Sequence, residues 1–404
     1  MGVTMRNSLR YRRVAGVSTV AAAVLALGAC GTENERPAGQ EGGGARQGQP
    51  ATTVADPVVA TYDGGIYVLD GKTLDVKAEL PLEGFNRLNP AGDDRHVMVS
   101  TSDGFQVLDA VGAQLTDVTF PGPEPGHVVR HAGRTVLFSD GTGEVISFDP
   151  AQLGDGKPQT ESYTTAEPHH GVAIELENGE LVVTLGNEEE RTGIMVLDAQ
   201  REEIARNEQC PGVHGEATAR GEAVVIGCED GVLVYRDGEI TKVDSPTEYG
   251  RIGNQSGTDA SPIVLGDYKQ DEDAELERPT QVSLIDTETG KLRLVDLGTS
   301  YTFRSLARGP QGEALVLGTD GAIHVLDPVR AEVVRTIPVI GEWQEPLEWQ
   351  QPRPAIFVRG GTAYVSDPGE RQLHAVDLAT GEKTATAKLE EAPNELSGVL
   401  AQAH

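Results

Sequence analysis

A short apolar strand ending in aspartate recurs eight times in this chain, and no other feature limits the fold so strongly. The copies are "IYVLD" (to Asp70), "FQVLD" (Asp109), "VISFD" (Asp149), "IMVLD" (Asp198), the degenerate "VLVYRD" (Asp237), "VSLID" (Asp286), "IHVLD" (Asp327) and "LHAVD" (Asp377). Consecutive copies lie 39, 40, 49, 39, 49, 41 and 50 residues apart. Most follow another strand and a glycine turn, as in "TVLFSDGTG" and "AVVIGCEDG". Most precede a polar turn and one more strand, as in "DTETGKLRLVDL". No segment outside the N-terminus shows helical periodicity.

Four short strands in each unit of about 40–50 residues is the pattern of a β-propeller blade. The expected fold is therefore all-β, with eight blades of four antiparallel strands. Seven is the alternative count, if the degenerate fifth unit merges with its long neighbour. The repeats lack the Gly-His and Trp-Asp pairs of a WD40 array. Closure is also readable: "VVATYDGGIYVLD" supplies a second and third strand without a first, and "NELSGVLAQAH" ends the chain as a lone strand. The C-terminal strand is expected to complete the first blade, removing the open edges of the ring.

Residues 1–29 read as a signal. Arg6, Arg10, Arg12 and Arg13 precede the apolar run Val14–Leu27, and Leu27-Gly28-Ala29-Cys30 resembles a bacterial lipobox with Cys30 as the lipidated residue. Residues 30–56 are rich in Gly, Gln, Glu and Pro and are expected to form a flexible tether. The propeller domain then spans 57–404. The chain is expected to be exported and held by lipid at the outer face of the cytoplasmic membrane, or in the periplasmic space.

Formal charge is −30 over 404 residues, and about −34 without the four arginines of the signal. Such a surface repels nucleic acid and anionic headgroups and attracts cations and basic partners, so nucleic-acid binding is excluded. With Cys30 lipidated, Cys210 and Cys228 remain of the three cysteines. In an exported chain they favour a disulfide, with free thiols or a metal pair as the alternatives.

Three of the nine histidines repeat with the blades. "GHVV", "HHGVA" and "VHGEA" fall where the innermost strands of blades 3, 4 and 5 begin; His127 to His170 is 43 residues and His170 to His214 is 44. Equivalent positions on innermost strands face one another across the central channel, so these imidazoles are expected to converge at one mouth. Neighbouring strand residues point to opposite faces, so His169 and His170 cannot both enter it; register favours His170, with His169 as a supporting or alternative ligand. Three imidazoles suit Zn2+, which accepts a fourth oxygen ligand, and would also suit copper(II) or nickel(II). Glu124, Glu167 and Glu216 are the fourth-ligand candidates, with Asp259 weaker. His131 shares the face of His127 and would lie deeper in the channel. His96, His324 and His374 fall on middle or outer strands, as surface or packing residues.

The set "GHVVRH", "EPHHGVA" and "CPGVHGEA…VIGCEDG", carried on repeated strands, resembles the AztD family of bacterial periplasmic zinc metallochaperones. The resemblance implies a zinc site at His127, His170 and His214, and a Cys210–Cys228 disulfide bracing it. It also implies a monomer that is not an enzyme and hands zinc to the solute-binding protein of a zinc ABC importer. The lipobox departs from the soluble relatives, and the N-terminal region has no histidine-rich segment that would add a second site. Two other functions compete. A scaffold lipoprotein propeller would need no metal. A propeller enzyme is disfavoured by the presence of only two tryptophans, Trp343 and Trp349, and by the lack of an evident acid–base pair beside the histidines.

Overall fold

The recurring aspartate proves to be a turn device. In a computed structural model, which describes residues 53–400, its carboxylate accepts backbone N–H groups from the turn after the third strand. Asp70 Oδ1 takes those of Lys72 and Thr73 at 3.0 and 2.9 Å, and Asp327 Oδ1 those of Val329 and Arg330 at 2.9 and 3.0 Å. Asp109, Asp149, Asp198, Asp286 and Asp377 do the same in their blades. A short acceptor side chain fixes such a turn locally, which is why one residue type recurs at one position. The degenerate copy has a different turn: Asp237 and Gly238 both take positive φ, 52° and 85°, and form a tight hairpin.

The strands make eight four-stranded antiparallel sheets. The degenerate unit forms a full blade 5, with strands His214–Ala219, Ala223–Cys228, Gly231–Arg236 and Glu239–Asp244, so the count is eight. Leu396–Gly398 pairs antiparallel with Val58–Tyr62 and supplies the innermost strand of blade 1, closing the ring as expected. One short 3₁₀ turn, Pro150–Asp155 in blade 3, was not foreseen. Among the described residues no helix is long and apolar enough to cross a membrane. Packing begins at Val54, which is buried and donates its N–H to Val111 O at 2.9 Å, ahead of Pro57 where the domain was expected to start. The signal, Cys30 and His404 lie outside the described residues.

The core consists of eight apolar clusters, one at each blade-to-blade interface. Blades 1 and 2 share Val59, Val68, Val97 and Leu108; blades 4 and 5 share Ile174, Val196, Ile226 and Leu233; blades 8 and 1 close the circle through Tyr67, Leu69, Tyr364 and Leu373. Burying one such side chain contributes roughly 1.5–3 kcal/mol, so each interface is stabilised on its own.

His96, His324 and His374 are all buried packing residues rather than surface ones. His374 donates or accepts at Thr386 Oγ1, 2.9 Å away, and burial, with a smaller contribution from Lys383, pushes its pKa down to about 4. A histidine that protonates near 6.5 when unfolded but near 4 when folded lends stability in full above pH 6.5, and loses it as pH falls towards 4. The expected loss is on the order of 2–3 kcal/mol. Denaturant unfolding at pH 7 and pH 4.5 should show it, and His374→Gln should flatten the difference.

Candidate metal centre

Each inner strand starts at the same mouth of the channel as the turn between the second and third strands of its blade. Connections from an outer strand to the next inner strand reach that mouth too. All three periodic histidines stand at such starts, but the backbone there is irregular. His127 lies in Pro125–His131 beside a register shift between Pro125 and Val128. His170 precedes its strand, which begins only at Ala173. His214 opens its strand, and Gly215 forms a bulge, so that His214 pairs with Gly227 and Glu216 with Ile226. Gly215 has φ +72°, and a Cβ there would meet Gln255 Oε1 and Gly253 O at 2.4 Å each. The glycine is thus required by the bulge.

The three imidazoles come together. Ring centroids are 5.4 Å apart for His127–His170, 5.6 Å for His127–His214 and 4.9 Å for His170–His214. One nitrogen from each lies within 4.8 Å of the other two. A tetrahedral zinc with bonds of roughly 2.0–2.1 Å needs ligand nitrogens about 3.3 Å apart, a contraction that small side-chain torsions supply.

The outer nitrogens identify which atoms are free. His170 Nδ1 is 2.5 Å from Asp140 Oδ2, His214 Nδ1 donates to Gly253 O at 2.6 Å, and His127 Nδ1 faces Glu216 Oε2 at 3.1 Å. Each Nδ1 has an oxygen partner, and no Nε2 has a hydrogen-bond partner among the described residues. An oxygen at Nδ1 holds the proton there and leaves the Nε2 lone pair available, the arrangement by which metal-binding imidazoles are oriented. Burial, reinforced by the neighbouring His127 and His170, holds the His214 pKa well below the ordinary histidine value. Its ring is therefore neutral, as a metal ligand must be. His170 is the exposed member and opens the group to solvent.

The other candidates separate clearly. His169 is buried, edge-on to Phe138; its Nδ1 donates to Glu167 O and its Nε2 meets Thr184 Oγ1, both at 3.0 Å. Both ring nitrogens have hydrogen-bond partners, so His169 sits as a packing residue outside the cluster of three. Of the three glutamates expected from the sequence, Glu216 alone reaches the cluster, against the back of His127. Glu167 is exposed and contributes its backbone carbonyl to His169 and Thr165. Glu124 lines the adjoining cleft, and its carbonyl accepts the N–H of Asp140. His131 and Asp259 line a separate cavity that also includes the turn Ala132–Gly133 between inner and second strands, at the other end of the channel; His131 Nε2 meets Glu222 Oε1 at 2.8 Å.

Sequence reading missed two parts of the site, Asp140 and the carbonyl of Gly253. Asp140 belongs to "FSDGTG", taken above only as a glycine turn. Blade topology brings that turn to the mouth where the inner strands begin. A cleft of about 890 Å³ adjoins His170 and is lined by Glu124, Asp140, Glu188, Glu189, Glu208 and Glu229 among others. The disulfide is present: Cys210 and Cys228 are bonded, with Cα atoms 4.9 Å apart.

Fold and site together define an eight-bladed propeller with a three-histidine cluster at one channel mouth. No family model matches the chain. Its sequence is 25% identical over 297 residues to "Zinc chaperone AztD" of Citrobacter koseri, covering 71% of this chain and 68% of that protein. Two solved structures of AztD from Citrobacter koseri, one of them the apo protein, superpose with TM-scores of 0.75 and 0.74, at 21% and 22% identity, over 86% of this chain and 98% of theirs. The dihydro-heme d1 dehydrogenase NirN shares the fold more distantly, with TM-score 0.57 and 14% identity over 84% of this chain and 74% of that one. The likeness to the AztD type read from the residues is thus found in both sequence and fold.

Proposed function

We propose that this protein is an extracytoplasmic zinc chaperone that holds one Zn2+ on His127, His170 and His214 and delivers it to the solute-binding protein of a zinc ABC importer. The observation that carries the reading is the convergence of three imidazoles whose Nδ1 atoms each face an oxygen, hydrogen-bonded at His170 and His214, and whose Nε2 atoms have no hydrogen-bond partner among the described residues. The zinc chaperone named among its relatives supports the choice of metal, and the disulfide fits an oxidising compartment. A lipid at Cys30 and a tether through residue 56 would keep the ring near the membrane.

The site suits holding and release better than catalysis. Asp140 and Glu216, the carboxylates nearest the imidazoles, are engaged at ring nitrogens, so neither is free to act as base on a metal-bound water. Three protein ligands leave the fourth position to water or to a donor from the acceptor, which gives the metal a way out.

Two outcomes are expected. Asp140→Asn or Glu216→Gln should each weaken zinc binding about 10- to 100-fold, read by competition with a chromophoric chelator, because the imidazole loses its orienting partner. Zinc-loaded protein mixed with apo solute-binding protein and excess chelator should load the acceptor faster than zinc escapes to the chelator alone. Equal rates would reduce the protein to a passive zinc store.

A further inference from the structure

Both tryptophans of the chain lie in one segment, "GEWQEPLEWQQPRP" (Gly341–Pro354), which the channel site does not use. It joins the outer strand of blade 7 (Glu332–Pro338) to the inner strand of blade 8 (Ile356–Arg359). This connection is equivalent to the one bearing His170 between blades 3 and 4, so both lie on the same face of the ring.

The segment contains two copies of Glu-Trp-Gln that serve opposite purposes. Trp343 points inward: its N–H donates to Thr319 O at 2.9 Å and its Nε1 to Gly318 O at 3.0 Å. Trp349 is 53% exposed and its neighbour Leu347 is 66% exposed, while the edge of Phe85 meets the Trp349 ring at 5.0 Å. The backbone between them is firmly held. Arg353, fully buried over the Phe303 ring, bonds Glu345 Oε1 at 2.6 Å and Glu348 O at 2.8 Å. Arg278 reaches Glu345 O at 3.2 Å and Asn394 reaches Gln350 O at 2.9 Å. Pro346, Pro352 and Pro354 stiffen the path further.

A buried ion pair adds little net stability, because desolvating both charges offsets their attraction. Here its result is a rigid loop that presents two large apolar side chains to water. Rigid, exposed tryptophan and leucine in advance of binding is the form of a preorganised interface anchor. Charge selects the occupant. Exposed Glu348 stands between Leu347 and Trp349 in the chain, exposed Glu342 and Glu83 belong to the same connections as Trp349 and Phe85, and Glu188, Glu189, Glu208 and Glu229 line the cleft beside His170. In a chain of formal charge −30 such a rim repels a second copy and an anionic lipid surface.

We infer that Leu347 and Trp349, with Phe85 behind them, form the docking surface for the zinc acceptor, a protein that offers an apolar projection flanked by Lys or Arg. This rests on the delivery function proposed above. Docking on the histidine face sets the acceptor's metal site over the channel mouth during hand-off.

The test compares wild type with Leu347→Ser/Trp349→Ala and with the milder Trp349→Gln, each zinc-loaded and mixed with the apo solute-binding protein. Zinc affinity and release to chelator should stay within twofold of wild type, while transfer to the acceptor slows at least tenfold and becomes sensitive to capture by the chelator, which wild-type transfer resists. Titrating apo acceptor should change wild-type tryptophan fluorescence but not that of Trp349→Phe, in which only Trp343 remains. Variants that transfer as fast as wild type would overturn the docking surface alone. A wild-type rate no faster than chelator release would remove the delivery function and the surface with it. Self-association of wild type in sedimentation, or binding to phosphatidylglycerol vesicles, lost in either case in the double variant, would assign the patch to another occupant and overturn the inference.

Discussion

His170→Ala/His214→Ala should bind zinc at least 10³-fold more weakly than wild type and emerge from purification without it, while the propeller stays folded. Structural zinc sites with four ligands bind with roughly 10–16 kcal/mol, or about 3 kcal/mol per ligand, so losing two costs on the order of 6 kcal/mol, about 10⁴-fold. Folding should survive because neither side chain belongs to the eight interblade clusters: His170 is exposed and precedes its strand, and His214 faces the channel. The measurement is zinc content by elemental analysis beside a competition titration, with circular dichroism as the fold control. Stoichiometric zinc in the double variant would move the site elsewhere. His169→Ala is the informative contrast. It removes a buried ring bonded to Glu167 O and Thr184 Oγ1, so it should lower stability and leave zinc stoichiometry unchanged.

That contrast marks where sequence reasoning succeeded and where it stopped. The Asp-terminated strand was legible because one local interaction, a carboxylate accepting turn N–H groups, recurs in the same register in seven blades. The eighth copy looked degenerate because its turn solves the same problem with Asp237-Gly238. The histidine cluster was legible for the same reason: period 43 and 44 carries a residue from one blade to its equivalent in the next. His170 rather than His169 joins the cluster, although the register argument assumed a regular strand and the backbone at 169–172 is not one. The carboxylates were read less well. Proximity in sequence proposed Glu124, Glu167 and Glu216, but contact is made in space, and Asp140 comes from the turn of a neighbouring blade, 30 residues from His170. Glu167, three residues from His170, is turned away by the backbone bonds that seat His169. Periodicity carries information about what is equivalent; it says little about which side chains from different strand positions meet at the mouth.

Removing the disulfide by Cys210→Ala/Cys228→Ala should cost about 3 kcal/mol of stability, by the loop-closure estimate for a bridge spanning 18 residues. Both sulfurs are buried in the cluster shared by blades 4 and 5, and alanine avoids placing a polar group there. The bridge joins the approach to the inner strand of blade 5 to the end of its second strand, so the closed loop contains His214. Backbone bonds extend the brace on both sides: Cys210 N–H donates to Thr192 O at 3.0 Å, and Ile252 N–H to Cys228 O at 3.0 Å, one residue ahead of the Gly253 whose carbonyl holds His214 Nδ1. Opening the bridge therefore loosens the imidazole and its orienting carbonyl together. Zinc affinity should fall about 3- to 10-fold, well short of the loss from deleting a ligand, because the partners at His127 and His170 stay in place. The ring should remain closed, since seven of its eight interfaces contain no cysteine. Denaturant midpoints and zinc titrations on oxidised, reduced and Cys-free protein separate the two effects. A lower midpoint with unchanged zinc affinity would make the bridge purely a stability element. Reduced and Cys-free proteins that match each other in both measurements, and differ from the oxidised form in both, would show that the same covalent bond sets blade 5 and the zinc site it carries.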